Sequence, residues 1–321
     1  MQKKRWAVGV DLGGTKVEVS HVDSTGRVRR RLRLRTGLDQ DLAAIRAEII
    51  TAVKEVVVSA GSRPAGVGVG VAGQVDPDQG VVRFAPNLPG WQNVPLQEDL
   101  KKKLGLPVVV TNDVRAATWG EWLHGAGKGC QDLVCLFVGT GIGGGIVSGG
   151  RILSGCSNTA GELGHITVDL NGPFCNCGNR GCLEAHAGGR AIARQAREAI
   201  SAAPAAGAFL LKRVNGRLEN ITAKTIAEAA HLHDPLALQL VDRVTEALIA
   251  GSASLIHAFN PCRLVLGGGV IRGFPELIAR IDRSIRKRTL KAASKPLEVL
   301  PARLKNAGVV GAAALAMHLE A

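Results

Sequence analysis

Apolar and polar positions alternate along the first third of the chain, then give way to helical spacing. Arg5–Asp11, Lys16–Val22 and Val28–Thr36 each carry the period of two expected of a strand, separated by a Gly-Gly-Thr turn and a Ser-Thr-Gly turn. In the third run Leu32 and Leu34 alternate with Arg31, Arg33 and Arg35, which reads as a half-buried strand with a solvated face. A long amphipathic helix is predicted over Asp39–Ala60, then a strand at Ala65–Val71, a Pro/Gly/Asn-rich loop over Asp76–Trp91 and a short helix near Leu96–Leu104. A buried strand, Val108–Thr111, ends at Asn112-Asp113 and leads into a helix through Ala116–Trp122. Strand Leu133–Val138, a glycine loop and strand Gly145–Ser148 form a hairpin, and a helix follows over Arg190–Ala199. The Ala/Gly/Pro-rich stretch Ser201–Gly216 reads as a connector. Beyond it come a long apolar helix (Pro235–Phe259), strand Arg263–Leu266, three glycines, a helix, strand Leu297–Leu300 and a last helix at Val309–Leu319. Each half opens with strands joined through a glycine turn and continues as strand–helix alternation. That pattern predicts an α/β chain of two similar lobes with a cleft between them.

A chain of 321 residues, 46% hydrophobic with 41 glycines, can bury a large core and suits a compact, turn-rich enzyme in two lobes. The net charge of +13 raises the question of nucleic acid, because the basic residues cluster at Arg27–Arg35 and Arg280–Lys295. In the second cluster Ile281 and Ile285 repeat at helical spacing with arginines on the remaining faces. With six Phe, four Trp and no Tyr there is little aromatic surface to stack bases. A solvated basic surface attractive to a polyanionic substrate is therefore expected, and no nucleic-acid partner. The basic start, MQKKRWAVGVDLGG, is interrupted at once by Asp11, so it reads as a first strand and not as a signal peptide. No long uncharged apolar span exists, so no membrane segment is expected. Cys130, Cys135, Cys156 and Cys262 sit singly in apolar or glycine-rich surroundings and read as reduced thiols, which suits a cytoplasmic protein.

The other three cysteines change the picture. Gly161–Glu184 reads GELGHITVDLNGPFCNCGNRGCLE and holds His165, Cys175, Cys177 and Cys182. One imidazole and three thiolates are the donor set of a closed tetrahedral zinc site, and the short spacing opposes their gathering with little loop entropy. The alternative is a loop of free or disulfide-bonded cysteines, but Cys-x-Cys neighbours bridge each other poorly and the histidine supplies a fourth ligand. A full coordination shell leaves no open position for water. The metal is expected to shape a loop, and with it a site containing Glu162, His165 and Glu184.

Two glycine turns suit phosphate. Asp11-Leu12-Gly13-Gly14-Thr15-Lys16 lies between two predicted strands, where the amides of Gly13 and Gly14, the Thr15 hydroxyl and Lys16 can meet anionic oxygens. Asp11 can hold a magnesium ion, directly or through water. Gly139-Thr140-Gly141-Ile142-Gly143-Gly144-Gly145 lies in the same context. It satisfies the spacing of a dinucleotide fingerprint but continues as strand where that fingerprint requires a helix. Either turn alone is only a hairpin; two at matching places favour nucleotide phosphates. Gly267-Gly268-Gly269 ends a strand before a helix and offers a seat for a nucleoside.

Taken together, DLGGTK at 11–16, NLPGW at 87–91, Asn112-Asp113, GTGIGGG at 139–145, GELGH at 161–165, CNCGNRGCLE at 175–184 and LGGG at 266–269 resemble the ROK family (repressors, open reading frames, kinases). The resemblance spans essentially the whole chain. It implies an α/β, two-lobed actin/hexokinase-like (ribonuclease H-like) ATPase fold, with a small lobe of residues 1–112 completed by about 303–321 and a large lobe of 113–302. It implies ATP, Mg2+ and structural Zn2+ as cofactors, with Asp11, Gly13, Gly14, Thr15, Lys16, Gly139, Thr140, Gly141 and Gly267–Gly269 around the nucleotide. Asp113 would be the base that accepts the proton of a sugar 6-hydroxyl, with a helix cap as its alternative role. Asn87, Asn112, Glu162, His165 and Glu184 would bind sugar hydroxyls, Asn87 having a turn role as its alternative, while His165 also binds the metal. Trp91 reads equally as packing or function. Glucose is the leading substrate on resemblance to the family's bacterial glucokinases, with N-acetylglucosamine and N-acetylmannosamine as competitors and polyphosphate as a rival donor. The family's repressors carry a DNA-reading domain ahead of the sugar domain; with ten residues before Asp11, an enzyme is expected here rather than a repressor. A homodimer or homotetramer is the expected assembly.

Overall fold

The computed structural model describes residues 5–35 and 41–318; Thr36, Asp39 and Leu319, which the sequence reading puts at element ends, lie outside them. The chain divides into two compact units, Met1–Cys130 with Ile152–Gly161 and Arg303–Ala321, and Gln131–Arg151 with Glu162–Ala302. Residues 113–130 therefore fall in the first unit, not with the large lobe. The cause is packing: the helix that starts at Asp113 lies against the C-terminal helix, Ala307–His318.

In the first unit β1 (Trp6–Leu12), β2 (Lys16–Asp23) and β3 (Val28–Arg35) form an antiparallel meander. Helix α1 (Leu42–Ala60) follows, then β4 (Val67–Val71), which joins β1 in parallel. The stretch expected to be a loop, Asp76–Trp91, holds β6 (Val81–Phe84) and is flanked by β5 (Gln74–Asp76) and β7 (Gln92–Val94), the three forming a small antiparallel sheet whose strands are too short to alternate visibly. Helix α2 (Leu96–Leu104) leads to β8 (Val108–Asn112), parallel to β4, and to α3 (Asp113–His124). The strand order is β3-β2-β1-β4-β8. Trp6, Val8, Val10 and Leu12 share a core with Ile45, Ile49 and Val53 of α1. The intervening positions face the C-terminal helix, as period two requires. That helix comes very close: a Cβ on Gly9 would lie 2.1 Å from Val309 O, and one on Gly68 1.8 Å from Ala312 O.

The second unit repeats the plan. Strands β9 (Leu133–Val138) and β10 (Ile142–Ser148) form the hairpin, and β11 (Arg151–Ile152) pairs beyond β10. Helices α4 (Leu183–Ala187), α5 (Gly189–Ala202), α6 (Ala208–Arg213), α7 (Ala223–His231) and α8 (Pro235–Phe259) precede β12 (Arg263–Gly267). Then come α9 (Gly268–Gly273), α10 (Glu276–Arg288), α11 (Lys291–Ser294) and β13 (Glu298–Pro301), giving the order β11-β10-β9-β12-β13. β10 starts three residues earlier than expected because Gly143–Gly145 pair with Phe137–Cys135. The expected connector at 201–216 holds α6, anchored by fully buried Leu210. Cys135 and Cys156 form no disulfide, as expected, whereas Cys130 and Cys262 are disulfide-bonded, which removes one support from the reducing-compartment reading. Among the described residues no helix is long and apolar enough to cross a membrane.

The β2–β3 turn is organised by Asp23, whose carboxylate accepts from Thr25 N, Thr25 Oγ1, Arg27 N and Arg29 Nε at 2.6–3.1 Å. Burial pushes its pKa up, but these donors outweigh burial and hold it at about 2. A depressed carboxylate stabilises the fold above its unfolded pKa, and that contribution drains away as pH falls toward the folded value. We therefore expect Asp23→Asn to cost roughly 2 kcal/mol at pH 7. In urea titrations from pH 7 to pH 2.5 the variant's stability should fall less steeply than that of the parent.

Candidate active site

The first unit gathers its candidates around the β1–β2 turn. Gly13 N donates to Lys16 O at 3.0 Å, closing the Gly-Gly-Thr turn, and leaves Thr15 and Lys16 exposed. A Cβ on Gly14 would lie 2.4 Å from Asn87 Cβ, so only glycine allows the 85–91 loop to rest on this turn. That loop is pinned by Trp91, which is buried in the unit's core, so its role is packing. Asn87 itself stays at the surface beside Gly14. Asp11, next to last in β1, lies against the C-terminal helix, where a Cβ on Gly308 would lie 3.2 Å from its carboxylate. Burial pushes the Asp11 carboxyl above the usual range, Lys16 pulls it back and Glu18 adds to the rise. A divalent cation there would reverse the cost of charge.

Asn112 and Asp113 divide their work in an unexpected way. Asn112, not Asp113, caps α3: its Oδ1 accepts from Val114 N and Arg115 N at 2.9 and 3.0 Å, and its Nδ2 donates to Gly73 O. Asp113 is the first residue of the helix, partly exposed, with its Oδ1 2.9 Å from Val114 N. The cap thus fixes the helix start on which the aspartate rides. Asn112 retains only one amide hydrogen for any ligand.

In the second unit His165, Cys175, Cys177 and Cys182 bring their donor atoms within 4.8 Å of one another. His165 Nδ1 lies 3.6 Å from Cys175 Sγ, and Cys177 Sγ lies 3.7 Å from Cys182 Sγ. Sulfurs on a tetrahedral zinc ion sit roughly 3.8 Å apart, so the set fits one such ion. Two bridges hold the loop, Thr167 with Cys182 and Phe174 with Arg180. Burial raises the Cys175 thiol and drives Cys182 to about 12, whereas the Asn179 amide lowers Cys177. A thiophilic cation would offset the cost of the buried thiolates.

The loop that carries the donor cluster packs directly against the glycine hairpin. Glu162 is exposed and precedes the short 3-10 turn Leu163–His165. That turn packs on β10: a Cβ on Gly164 would lie 2.1 Å from Ile142 O, and one on Gly144 2.5 Å from Leu163 Cδ1. Cys182 precedes α4, and Glu184 in its first turn accepts from Ile142 N at 2.6 Å through Oε2. The Gly139-Thr140-Gly141 turn also receives Gly189 N on Gly139 O and Arg190 N on Thr140 O, at 2.9 and 3.0 Å.

Beside this turn opens a pocket of about 780 Å³. Gly139, Thr140 and Gly269 stand on its rim, Ile221, Val270 and Phe274 supply apolar wall, and Arg190 and Lys224 supply charge. Of the predicted third turn only Gly269 lines the pocket; Gly267 and Gly268 press on Phe137 and Val138 at the end of β9. The walls from α5 and the 219–227 segment were not foreseen. The one local signal was the Gly188-Gly189 pair, whose close approach to the hairpin is now explained.

The model of the ROK family matches residues 7–318. The chain belongs to the ROK family. It is 38% identical to the glucokinase of Thermotoga maritima over 96% of both chains, and 37% identical to that of Streptomyces coelicolor over 96% of both. The ROK family glucokinase of Streptomyces griseus, solved with glucose and AMPPNP, superposes with a TM-score of 0.80 at 38% identity, covering 97% of this chain and 98% of that one. The ROK hexokinase of Thermus thermophilus gives 0.82 at 34%, covering 98% of each. The fold is therefore the mixed α/β, actin/hexokinase-like fold of ROK sugar kinases.

The donor cluster predicts one tightly held thiophilic divalent cation per chain. Elemental analysis of the purified protein should find about one equivalent, falling well below that in Cys182→Ser. Full occupancy in the variant would remove Cys182 from the ligand set.

Proposed function

We infer that this chain is a hexose kinase that transfers the γ-phosphoryl group of ATP to the 6-hydroxyl of glucose. The observation that carries the reading is near-full-length similarity to several glucokinases, at 36–38% identity. A nucleoside would enter the pocket beside Gly139, Thr140 and Gly269. Its phosphates would meet the amides of the two glycine turns, Thr15 and Lys16. Asp11 would hold a magnesium ion, which supplies neutralisation of phosphate charge when bound.

The hexose would be read by Asn87, Glu162, His165 and Glu184, with Asn112 offering its single remaining N–H. Carboxylates and amides suit this task because they accept two hydroxyl protons in fixed geometry. Asp113 would accept the proton of the 6-hydroxyl as that oxygen attacks the γ-phosphorus and the bond to the β-phosphate oxygen breaks, releasing ADP. A zinc ion on His165 and the three cysteines would hold the loop between them, and removing it would disorder the sugar-reading residues. With Nδ1 turned to the sulfurs, His165 has only Nε2 to offer a sugar.

Hexosamines are the second reading, favoured by 32% identity to the N-acetylmannosamine kinase of Escherichia coli over 97% of this chain and 98% of that one. A sensor reading is weaker: the xylose repressor of Bacillus spizizenii is 30% identical over 79% of this chain and only 61% of its own length. Coupled ADP release should be fastest with glucose, when compared with mannose, fructose, N-acetylglucosamine and N-acetylmannosamine. Asp113→Asn should lower kcat by about a thousandfold while leaving glucose affinity within about tenfold. Near-normal turnover in that variant, or no ADP release with any of these sugars, would overturn the reading.

A further inference from the structure

The backbone of Ile142 is gripped at its N–H and at its carbonyl by the segment that carries the sugar-reading candidates. Its N–H donates to Glu184 Oε2 at 2.6 Å, and its carbonyl abuts Gly164, where any Cβ would sit 2.1 Å away. One residue back, a Cβ on Gly141 would lie 2.2 Å from the same Oε2, so the carboxylate presses on the turn itself. The carbonyls of Gly139 and Thr140 are tied to Gly189 N and Arg190 N, the first two residues of α5. Every one of these restraints on 139–142 comes from residues 164–190.

We propose that Glu184 is a positioning residue for the nucleotide as well as a hexose ligand. One oxygen holds the phosphate turn while the other remains for the sugar. The proposal rests on the kinase reading above and deepens it. A glycine-rich turn is costly to order, and a bond from an ionised carboxylate to a backbone amide is about twice as strong as a neutral one. With Glu184 in place the turn is ordered before nucleotide arrives; without it, nucleotide binding must supply the ordering. Because both ligands meet the same side chain, the coupling is reciprocal: disturbing the turn also disturbs the sugar.

The test measures binding at equilibrium, each ligand alone, by calorimetry. Glu184→Ala should weaken Mg-AMPPNP binding in sugar-free protein roughly ten- to hundredfold. Glu184→Gln, whose amide oxygen still accepts from Ile142 N, should stay within about threefold of the parent for nucleotide while losing glucose affinity. A second variant approaches from the other side. Gly141→Ala drives a methyl group into Oε2 and should weaken glucose binding in nucleotide-free protein, although residue 141 belongs to the phosphate turn. Unchanged nucleotide affinity in Glu184→Ala, or unchanged glucose affinity in Gly141→Ala, would restrict Glu184 to the sugar and overturn the proposal. A parent chain that binds no Mg-AMPPNP would sink the kinase reading, and this proposal with it.

Discussion

The second unit depends on how a loop of four metal-ligand candidates meets the β9–β10 hairpin. His165 ends the turn whose Gly164 abuts Ile142 O, and Cys182 immediately precedes the helix whose Glu184 bonds Ile142 N. The two ends of the ligand set thus hold the two successive peptides on either side of one residue, Ile142. A cation on the cluster would fix their separation, and with it the geometry of a glycine turn that has few restraints of its own. The ligand cluster, the Glu184 helix and the glycine turn at 139–142 are joined by direct contacts into one packed body.

The first unit braces its glycine turn through side-chain and backbone packing. Its glycine turn is braced by Asn87 against Gly14, and its aspartate is aimed by the Asn112 cap. Close approach of the C-terminal helix to Gly9 and Gly68 holds β1 and β4, whose ends carry Asp11 and lead to the 85–91 loop. Small residues at the contact points fix positions that polar residues then use. Dense packing transmits such constraints well because there is little void to absorb a shift.

Much of this was legible in the sequence because the informative segments are local. Four metal donors within eighteen residues, a Gly-Gly turn between two alternating runs and the Asn112-Asp113 pair after a buried strand each declare themselves without knowledge of the fold. Long elements such as α1 and α8 were visible for the same reason. Strands β5 and β7, with three residues each, have too few alternations to separate from a loop. Helix α6 is hidden in an Ala/Gly-rich stretch, and only tertiary burial of Leu210 selects it. The pocket walls at Arg190, Ile221 and Phe274 come from segments far apart in sequence, so no local spacing could join them. The capping role went to Asn112 because its side chain reaches two amides of the first turn, a matter of one residue in phase that pattern alone does not fix.

The most direct test of the central claim is hydrogen–deuterium exchange on metal-loaded and chelated protein, read over peptides covering 139–145. If the ligand loop and the phosphate turn are one body, chelation raises exchange in 139–145 together with 162–184, and leaves β1 and β4 as protected as before. Increased exchange confined to 165–182, with 139–145 unchanged, would contradict it.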